Sequence, residues 1–173
     1  PKPLGGVRPI GLFTAILRVF LRALRRTVGD NWATQHIPSC WYGVPGRSSE
    51  QAAWSRLVAA RFAKATGGIA LAELFDITKA FGHLQLSVIH KWAVHFDFPM
   101  TLLRLLFVVY RAPRHFVIGK GMVMKVLPTR STVAGCASAD LMMATVMLGV
   151  HASVMKAAPR AIIAVIADDF QIL

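Results

Sequence analysis

Carboxylates are scarce in this sequence: eight Asp and Glu residues stand against twenty Lys and Arg residues, for a formal charge of +12 on 173 residues. Cysteine is scarce too. Cys40 and Cys136 lie far apart with no CxxC spacing or paired histidines, so the sequence predicts neither a disulfide framework nor a zinc site. The longest apolar run, residues 141–150, is shorter than the roughly 18 residues of a membrane span. We therefore expect one domain in two lobes and no membrane partner.

The excess of basic residues favours a partner that carries phosphates, because each phosphate that a protein neutralises releases condensed counterions. Nucleic acid is the first candidate. The same charge is also typical of a basic structural protein within a large complex, and charge alone does not separate these two classes.

Apolar periodicity and the positions of Pro and Gly predict an α+β pattern. The predicted elements are a strand pair at residues 1–13, a helix from Thr14, a loop at 30–47, a helix from the capping box of Ser48 and Gln51 to about residue 65, a core strand at 69–75, helices at 79–96 and 100–110, a hairpin turning at 119–121, a helix at 137–157, and strands at 161–167 and 170–173. On the first helix, Arg18, Arg22 and Arg25 follow one face, which is either a solvated surface or a nucleic-acid contact.

Three of the eight acidic residues end the two most apolar strand candidates. Asp76 follows one strand, and Asp168 and Asp169 follow the other. Burying unpaired carboxylates costs several kcal/mol, so a hard divalent cation between them would explain their position. The alternative is that Asp168 and Asp169 form a polar turn while Asp76 caps a helix.

Three segments resemble the palm motifs of reverse transcriptases, in the order that this family has them. FDITKAF (residues 75–81) resembles the first motif, VAGCASADLMM (133–143) the second, and IADDFQIL (166–173) the third. GGVRPIGL (5–12) and SCWYGVPGRSSEQAA (39–53) are similar to fingers motifs of group II intron and non-LTR retrotransposon enzymes. The resemblance spans nearly the whole chain.

This resemblance implies a polymerase right-hand fold, with a partial fingers lobe at residues 1–68 and a palm at 69–173. The palm would be an antiparallel sheet with helices on one face, truncated just after the Asp-Asp motif and without a thumb. The implied activity is RNA-directed DNA polymerase, in which an RNA template, a DNA or RNA primer and dNTP are the partners. Further domains of a parent polypeptide, a thumb and an endonuclease or maturase, would complete it, and without a thumb we expect weak primer-template binding.

The same resemblance assigns roles to individual residues. Asp76 and Asp168 would hold two Mg²⁺ or Mn²⁺ ions with the help of Asp169, and the carbonyl of Ile77 would complete a metal shell. The other implied contacts are Lys2 and Arg8 to the nucleotide, Phe81 as a steric gate against ribonucleotides, Gly135 beside the templating base pair, and Arg18, Arg22, Arg25 and Arg47 to nucleic acid. From composition alone, a core aromatic is the better interpretation of Phe81, and the alternative for Gly135 is an ordinary glycine in a loop or at a helix N-terminus.

Several positions depart from the family pattern. Ala134 stands where Gln is expected, Ala137 and Asp140 replace two prolines, Gly82 replaces an Asp, and Val44 stands where Arg is usual. These departures keep two further hypotheses open. One is a catalytically silent palm, decayed or maturase-like, that binds RNA. The other is a basic structural protein, for which Asp76 and Asp168 would lie more than about 10 Å apart, too far for one metal pair.

Overall fold

The computed structural model describes most of the chain. The described residues are 13–42, 44, 46–69, 73–77, 80–118, 121–130, 132–133, 135–159, 161, 163–166 and 169–172. The predicted strand pair at residues 1–13 falls almost entirely outside them.

The first helices form a longer helical region than the sequence predicted. Helix α1 (Ala15–Leu24) begins after Thr14, as predicted, and a π-helical segment (Arg25–Gly29) joins it to α2 (Asp30–His36). The predicted loop at 30–47 is therefore wrong for residues 30–36. Trp32 is buried and its indole N–H donates to the carbonyl of Phe96 at 2.8 Å, so tertiary packing holds this turn in a helix until Pro38.

Helix α3 (Ser49–Ala65) confirms the predicted capping box. The Ser48 hydroxyl accepts from the backbone N–H of Gln51, and the Gln51 side chain accepts from the backbone N–H of Ser48. Gly67, at φ +76°, follows the helix in a conformation that residues with a Cβ rarely adopt. Both ends of α3 could thus be predicted from the sequence.

The helix predicted at residues 79–96 is in fact two helices, α4 (Ala80–His83) and α5 (Leu86–His95). The chain turns between them because Leu84 is buried and Gln85 is extended. Helix α5 ends in a Schellman arrangement, in which Asp97 has φ +50° and the N–H of Phe98 donates to the carbonyl of Ala93 at 2.8 Å. Helix α6 (Met100–Arg111) follows as predicted.

The predicted hairpin is confirmed by strands β3 (Arg114–Ile118) and β4 (Met122–Val126), which pair antiparallel. Gly121, at φ +101°, lies in the turn. Helix α7 (Ala139–Ala157) is confirmed as well, and most of its first eleven residues are buried. It packs against α5, where Gly149 leaves room for the indole of Trp92.

A small mixed sheet completes the described structure. Its order is β1 (Trp41–Tyr42), β5 (Ile163–Ile166), β6 (Asp169–Ile172) and β2 (Glu73–Asp76). The strands of the predicted palm, β5, β6 and β2, pair antiparallel as expected, and β1, from the segment predicted as fingers, joins β5 in parallel. The strand before Asp76 is not the core strand predicted: β2 lies at the edge of the described sheet, where Phe75 is 49% exposed, whereas Val165 in β5 is fully buried.

The chain thus has a helix-rich α+β fold with a small sheet, which agrees with the predicted class. Among its described helices, none combines the length and the apolar character needed to cross a membrane.

We predict that Gly149→Ala destabilises the protein. Alanine in a helix is favoured over glycine by about 1 kcal/mol, but a Cβ at this position would overlap the Trp92 indole, and overpacking of a core costs about 1–3 kcal/mol. The net loss in the free energy of unfolding is thus up to about 2 kcal/mol, and we expect a value near this upper limit because the indole is rigid; urea denaturation measures it. Ala152→Ser, on the exposed side of α7, is the control and should change stability by less than about 0.5 kcal/mol. Equal midpoints for the two variants would contradict this packing.

Candidate metal centre

The pairing of β2 with β6 brings two of the three predicted metal residues together. Asp76 is the last residue of β2, Asp169 is the first residue of β6, and the two are directly opposite in the antiparallel register. Residues opposite each other in such a pair have Cα atoms about 4.5–5.5 Å apart. Asp168 lies outside the described residues and precedes Asp169 directly in the chain.

The carboxylate end of β6 is anchored through β5. Ile166 is opposite Asp169 in the antiparallel β5–β6 pair, so Asp169 is a paired strand residue and not a turn residue. Strand β5 is buried, and the N–H of Val165 donates to the carbonyl of Cys40 at 3.1 Å. The backbone of Asp169 is therefore paired on both sides, with the buried strand β5 and with the edge strand β2.

Two predicted residues follow Asp76. The carbonyl of Ile77 accepts from the N–H of Ala80 at 3.0 Å, which leaves its second lone pair for a further partner. The ring of Phe81 is half-buried against the core. Its carbonyl accepts from the N–H of Thr132 at 3.0 Å, which ties the first palm-like motif to the segment just before the second.

Gly135 has a backbone reason to be glycine that the sequence did not reveal. Its φ is +95°, in the region that side chains disfavour, and the next residue, Cys136, closes a turn by donating its N–H to the carbonyl of Val133 at 3.0 Å. This residue is exposed. Its predicted proximity to a base pair stays a prediction.

The structure gives Arg25 partners within the chain. Its guanidinium binds both oxygens of Asp140 at 2.8 and 2.6 Å, reaches Asp30 at 3.2 Å, and donates to the carbonyl of Ala137. Burial acts to lower the pKa of Arg25, but hydrogen bonds and charge from Asp140 and Asp30 outweigh it, so this pKa is raised. Arg25 is therefore held by partners within the chain, and its predicted contact with nucleic acid stays a prediction. The one sign of this pair in the sequence was Asp140, an isolated acidic residue in the first turn of the apolar helix α7.

Arg47 is likewise engaged within the chain. Its guanidinium donates to the carbonyls of Pro38 and Ile37, and its backbone forms an isolated bridge with Val44 across a turn at Gly46. It therefore braces the loop before α3, which its predicted role as a nucleic-acid contact did not foresee.

The remaining predicted basic contacts divide into two groups. Arg18 and Arg22 are exposed on α1, and Arg26 beside them is exposed too. These side chains have no carboxylate partner among the residues that the structure describes. Lys2 and Arg8 lie outside those residues.

Other metal-ligand chemistry is absent from the part of the chain that the structure describes: no group of three or more His, Cys, Asp or Glu side chains lies close enough to hold an ion. Cys40 and Cys136 are free thiols. The Cys40 sulfur lies 3.5 Å from Nε2 of His151. Burial raises the pKa of Cys40 and lowers the pKa of His151, so both groups are held neutral.

Among solved structures, the chain is similar to telomerase from Candida albicans in complex with the TWJ fragment of telomeric RNA, with a TM-score of 0.57 and 13% sequence identity. The match covers 91% of this chain and 29% of the telomerase chain, so this chain corresponds to less than a third of that protein's length. No family model matches the sequence, and no curated protein matches it. This likeness shows a distantly shared fold.

We predict that Asp140→Asn weakens the joint between the π-helical segment and α7. The amide keeps the shape of the side chain but loses the charge opposite Arg25. Two-oxygen pairing with an arginine strengthens the contact, while the 45% exposure of the carboxylate screens it, so we expect a loss of about 1–2 kcal/mol in the free energy of unfolding. The measurement is urea denaturation at low and high salt, and the loss should shrink at high salt.

Asp97→Asn is the matched control for that change. Asp97 is exposed, and its φ of +50° is one that Asn tolerates, so its stability should stay near that of the wild type. If Asp140→Asn were no less stable than this control, the Arg25–Asp140 pair would contribute nothing measurable.

Proposed function

We propose that this chain is the fingers and palm portion of an RNA-directed DNA polymerase, residues 1–68 and 69–173 respectively. The observation that carries the proposal is the register of β2 and β6, with Asp76 opposite Asp169 and Asp168 next to it in the chain. The distant likeness to telomerase is compatible with this reading, because it covers nearly all of this chain. A basic structural protein gives no reason for two of its eight acidic residues to stand opposite each other in one strand pair.

The residues at this sheet end fit hard divalent cations. Carboxylate oxygens with one backbone carbonyl are the donors that Mg²⁺ takes together with substrate phosphates, and Asp76, Asp168, Asp169 and Ile77 provide them. When bound, two Mg²⁺ or Mn²⁺ ions supply charge neutralisation at the attacking and leaving oxygens. In the proposed reaction the primer 3′-hydroxyl attacks the α-phosphate of a dNTP, a new phosphodiester bond forms, and pyrophosphate leaves.

Phe81 suits a role in selecting the sugar. It lies on α4, five residues after Asp76, and its carbonyl is fixed by Thr132. A half-buried ring in this position has little freedom to move away from a 2′-hydroxyl. Lys2 and Arg8 complete the proposal as contacts to the nucleotide phosphates.

We predict that Asp76→Asn weakens divalent-ion binding. Removal of one carboxylate ligand should raise the dissociation constant for Mn²⁺ at least about tenfold in the presence of dNTP, measured by electron paramagnetic resonance. Asp97→Asn removes the same charge from an exposed helix end and should bind Mn²⁺ as the wild type does. Equal Mn²⁺ affinities for the two variants would overturn the proposed metal centre.

Primer extension on an RNA template tests the reaction itself, in a polypeptide that joins this chain to a thumb. There Asp168→Asn should slow dNTP incorporation at least about 100-fold. If the wild type incorporated ribonucleotides as fast as deoxynucleotides, this would contradict the role of Phe81 but not the rest of the proposal. Metal binding without any extension would favour a second function, a palm that binds RNA and has lost its chemistry.

The exposed arginines of α1 favour that second function to the same degree as the first, because both need RNA contact. We predict that Arg18→Glu with Arg22→Glu weakens RNA binding and reduces its salt dependence. Each lost phosphate contact on a single strand should lower the slope of log affinity against log salt by about 0.7, hence by about 1.4 for two. Arg104→Glu with Arg130→Glu makes the same charge change at exposed positions elsewhere and should leave the slope nearer the wild type. Identical slopes for both double variants would show only a general charge effect.

A further inference from the structure

Helix α3 buries small side chains and exposes large apolar ones, which is the reverse of an ordinary surface helix. Its small side chains face the protein: Ala52 is fully buried, and Ala59 and Ala63 are half-buried. Its large apolar side chains face outward, with exposed fractions of 60% for Trp54, 42% for Leu57, 61% for Val58 and 70% for Phe62. A contiguous apolar face of this kind marks an interaction site.

The outward face has the spacing of a helix-pairing seam. Glu50, Trp54, Leu57 and Arg61 follow one another at intervals of four, three and four residues, which is the a/d repeat of paired helices. All four side chains are exposed. Neither Glu50 nor Arg61 has an ion pair with another described residue. The seam therefore has an apolar centre and one unpaired charge of opposite sign at each end.

We propose that α3 is a dimerisation surface that pairs antiparallel with α3 of a second copy of this chain. When the seam is laid against itself in opposite directions, Trp54 lies opposite the partner's Leu57. The same register brings Glu50 opposite the partner's Arg61. The twofold axis repeats both pairings, so each seam residue of one copy lies opposite a complementary residue of the other copy, as an isologous interface requires.

The charges at the two ends of the seam favour a second copy of the chain over nucleic acid as the partner. Covering the seam buries Arg61 beside apolar side chains, and such a charge needs a carboxylate or a phosphate opposite it. A nucleic-acid strand along the same face would bring phosphates to Glu50 as well, which repels them. A second copy supplies a carboxylate for Arg61 and a guanidinium for Glu50 at once.

Two features set the strength of the dimer. The seam from Glu50 to Arg61 is only twelve residues long, about 17 Å of helix, so the interface is small and the dimer weak. Each copy also carries a formal charge of +12, and the two copies repel each other at long range. Moderate salt should therefore strengthen the dimer, because it screens the repulsion more than the apolar contacts.

Light scattering coupled to size-exclusion chromatography tests the proposal on the whole chain. We expect the mass to rise from 18.9 kDa toward twice that value between about 5 and about 200 µM, which brackets the micromolar dissociation constant of a small interface. A reductant is required, because Cys40 is a half-exposed free thiol that could cross-link copies. A wild-type chain that stays monomeric over this range overturns the proposal.

Leu57→Asp should raise the dissociation constant at least tenfold, since it puts a charge at the centre of the seam. Ser55→Asp adds the same charge at an exposed position of α3 away from the seam and should leave dimerisation unchanged. Equal effects of the two variants overturn the proposal. Circular dichroism verifies that both variants keep the helix content of the wild type.

A charge exchange provides the second test and does not touch the apolar centre. Glu50→Arg alone and Arg61→Glu alone should each weaken the dimer, because each opposes like charges across the axis. The double variant restores opposite charges in both pairs and should regain most of the lost affinity. If the double variant does not recover, the antiparallel register is wrong. If the wild type is monomeric and Arg61→Glu loses RNA binding, the register is wrong as well.

Discussion

The packing of this protein depends on the burial of helix α7. Residues on all sides of its first three turns are buried, so every neighbouring element must fit around it. Its first turn is held to the π-helical segment by Arg25 and Asp140, and its middle accepts the Trp92 ring against Gly149. Strand β5, which pairs with the Asp169-bearing strand β6, follows α7 in the chain.

Close approach at glycines explains how α7 tolerates so many neighbours. A Cβ at Gly29 would come within 2.7 Å of a Leu141 methyl carbon, just as one at Gly149 would overlap Trp92. The two glycines are on different elements, yet both let a large side chain lie against bare backbone. Dense packing of this kind leaves little space for adjustment around α7.

Elements with local signals could be predicted from the sequence, and those defined by distant partners could not. The Ser48–Gln51 capping box, the glycine-turned hairpin and the buried β5 segment each carry their signal within a few residues, and the structure agrees with all three. Helix α2 was missed because Pro38 and the glycines after it made the whole region look like a loop, whereas Trp32 is held in place by Phe96, 64 residues away. Strand β1 has two residues, too few for any pattern, and exists only through its pairing with β5.

The candidate metal centre shows the same division. The residue types and their strand ends were visible in the sequence, but their register was not, since β2 and β6 are separated by almost the whole palm-like region. The roles of the arginines were harder to predict, because the sequence does not indicate whether a guanidinium binds a phosphate or a carboxylate. Arg25 finds Asp140 at a separation of 115 residues, while Arg18 and Arg22 on the same helix remain exposed.

Asp140 also changes the meaning of the departures from the reverse transcriptase pattern. The resemblance implies a proline there, and a proline in the first turn of a helix fixes φ at a position whose N–H has no helical partner. An aspartate in the same turn supplies a negative charge at the positive end of the helix dipole and, here, a partner for Arg25. The proline's contribution to the start of α7 is thus replaced by an electrostatic one within this fold. The departure at Asp140 therefore has a structural account of its own, which is separate from the question of catalysis.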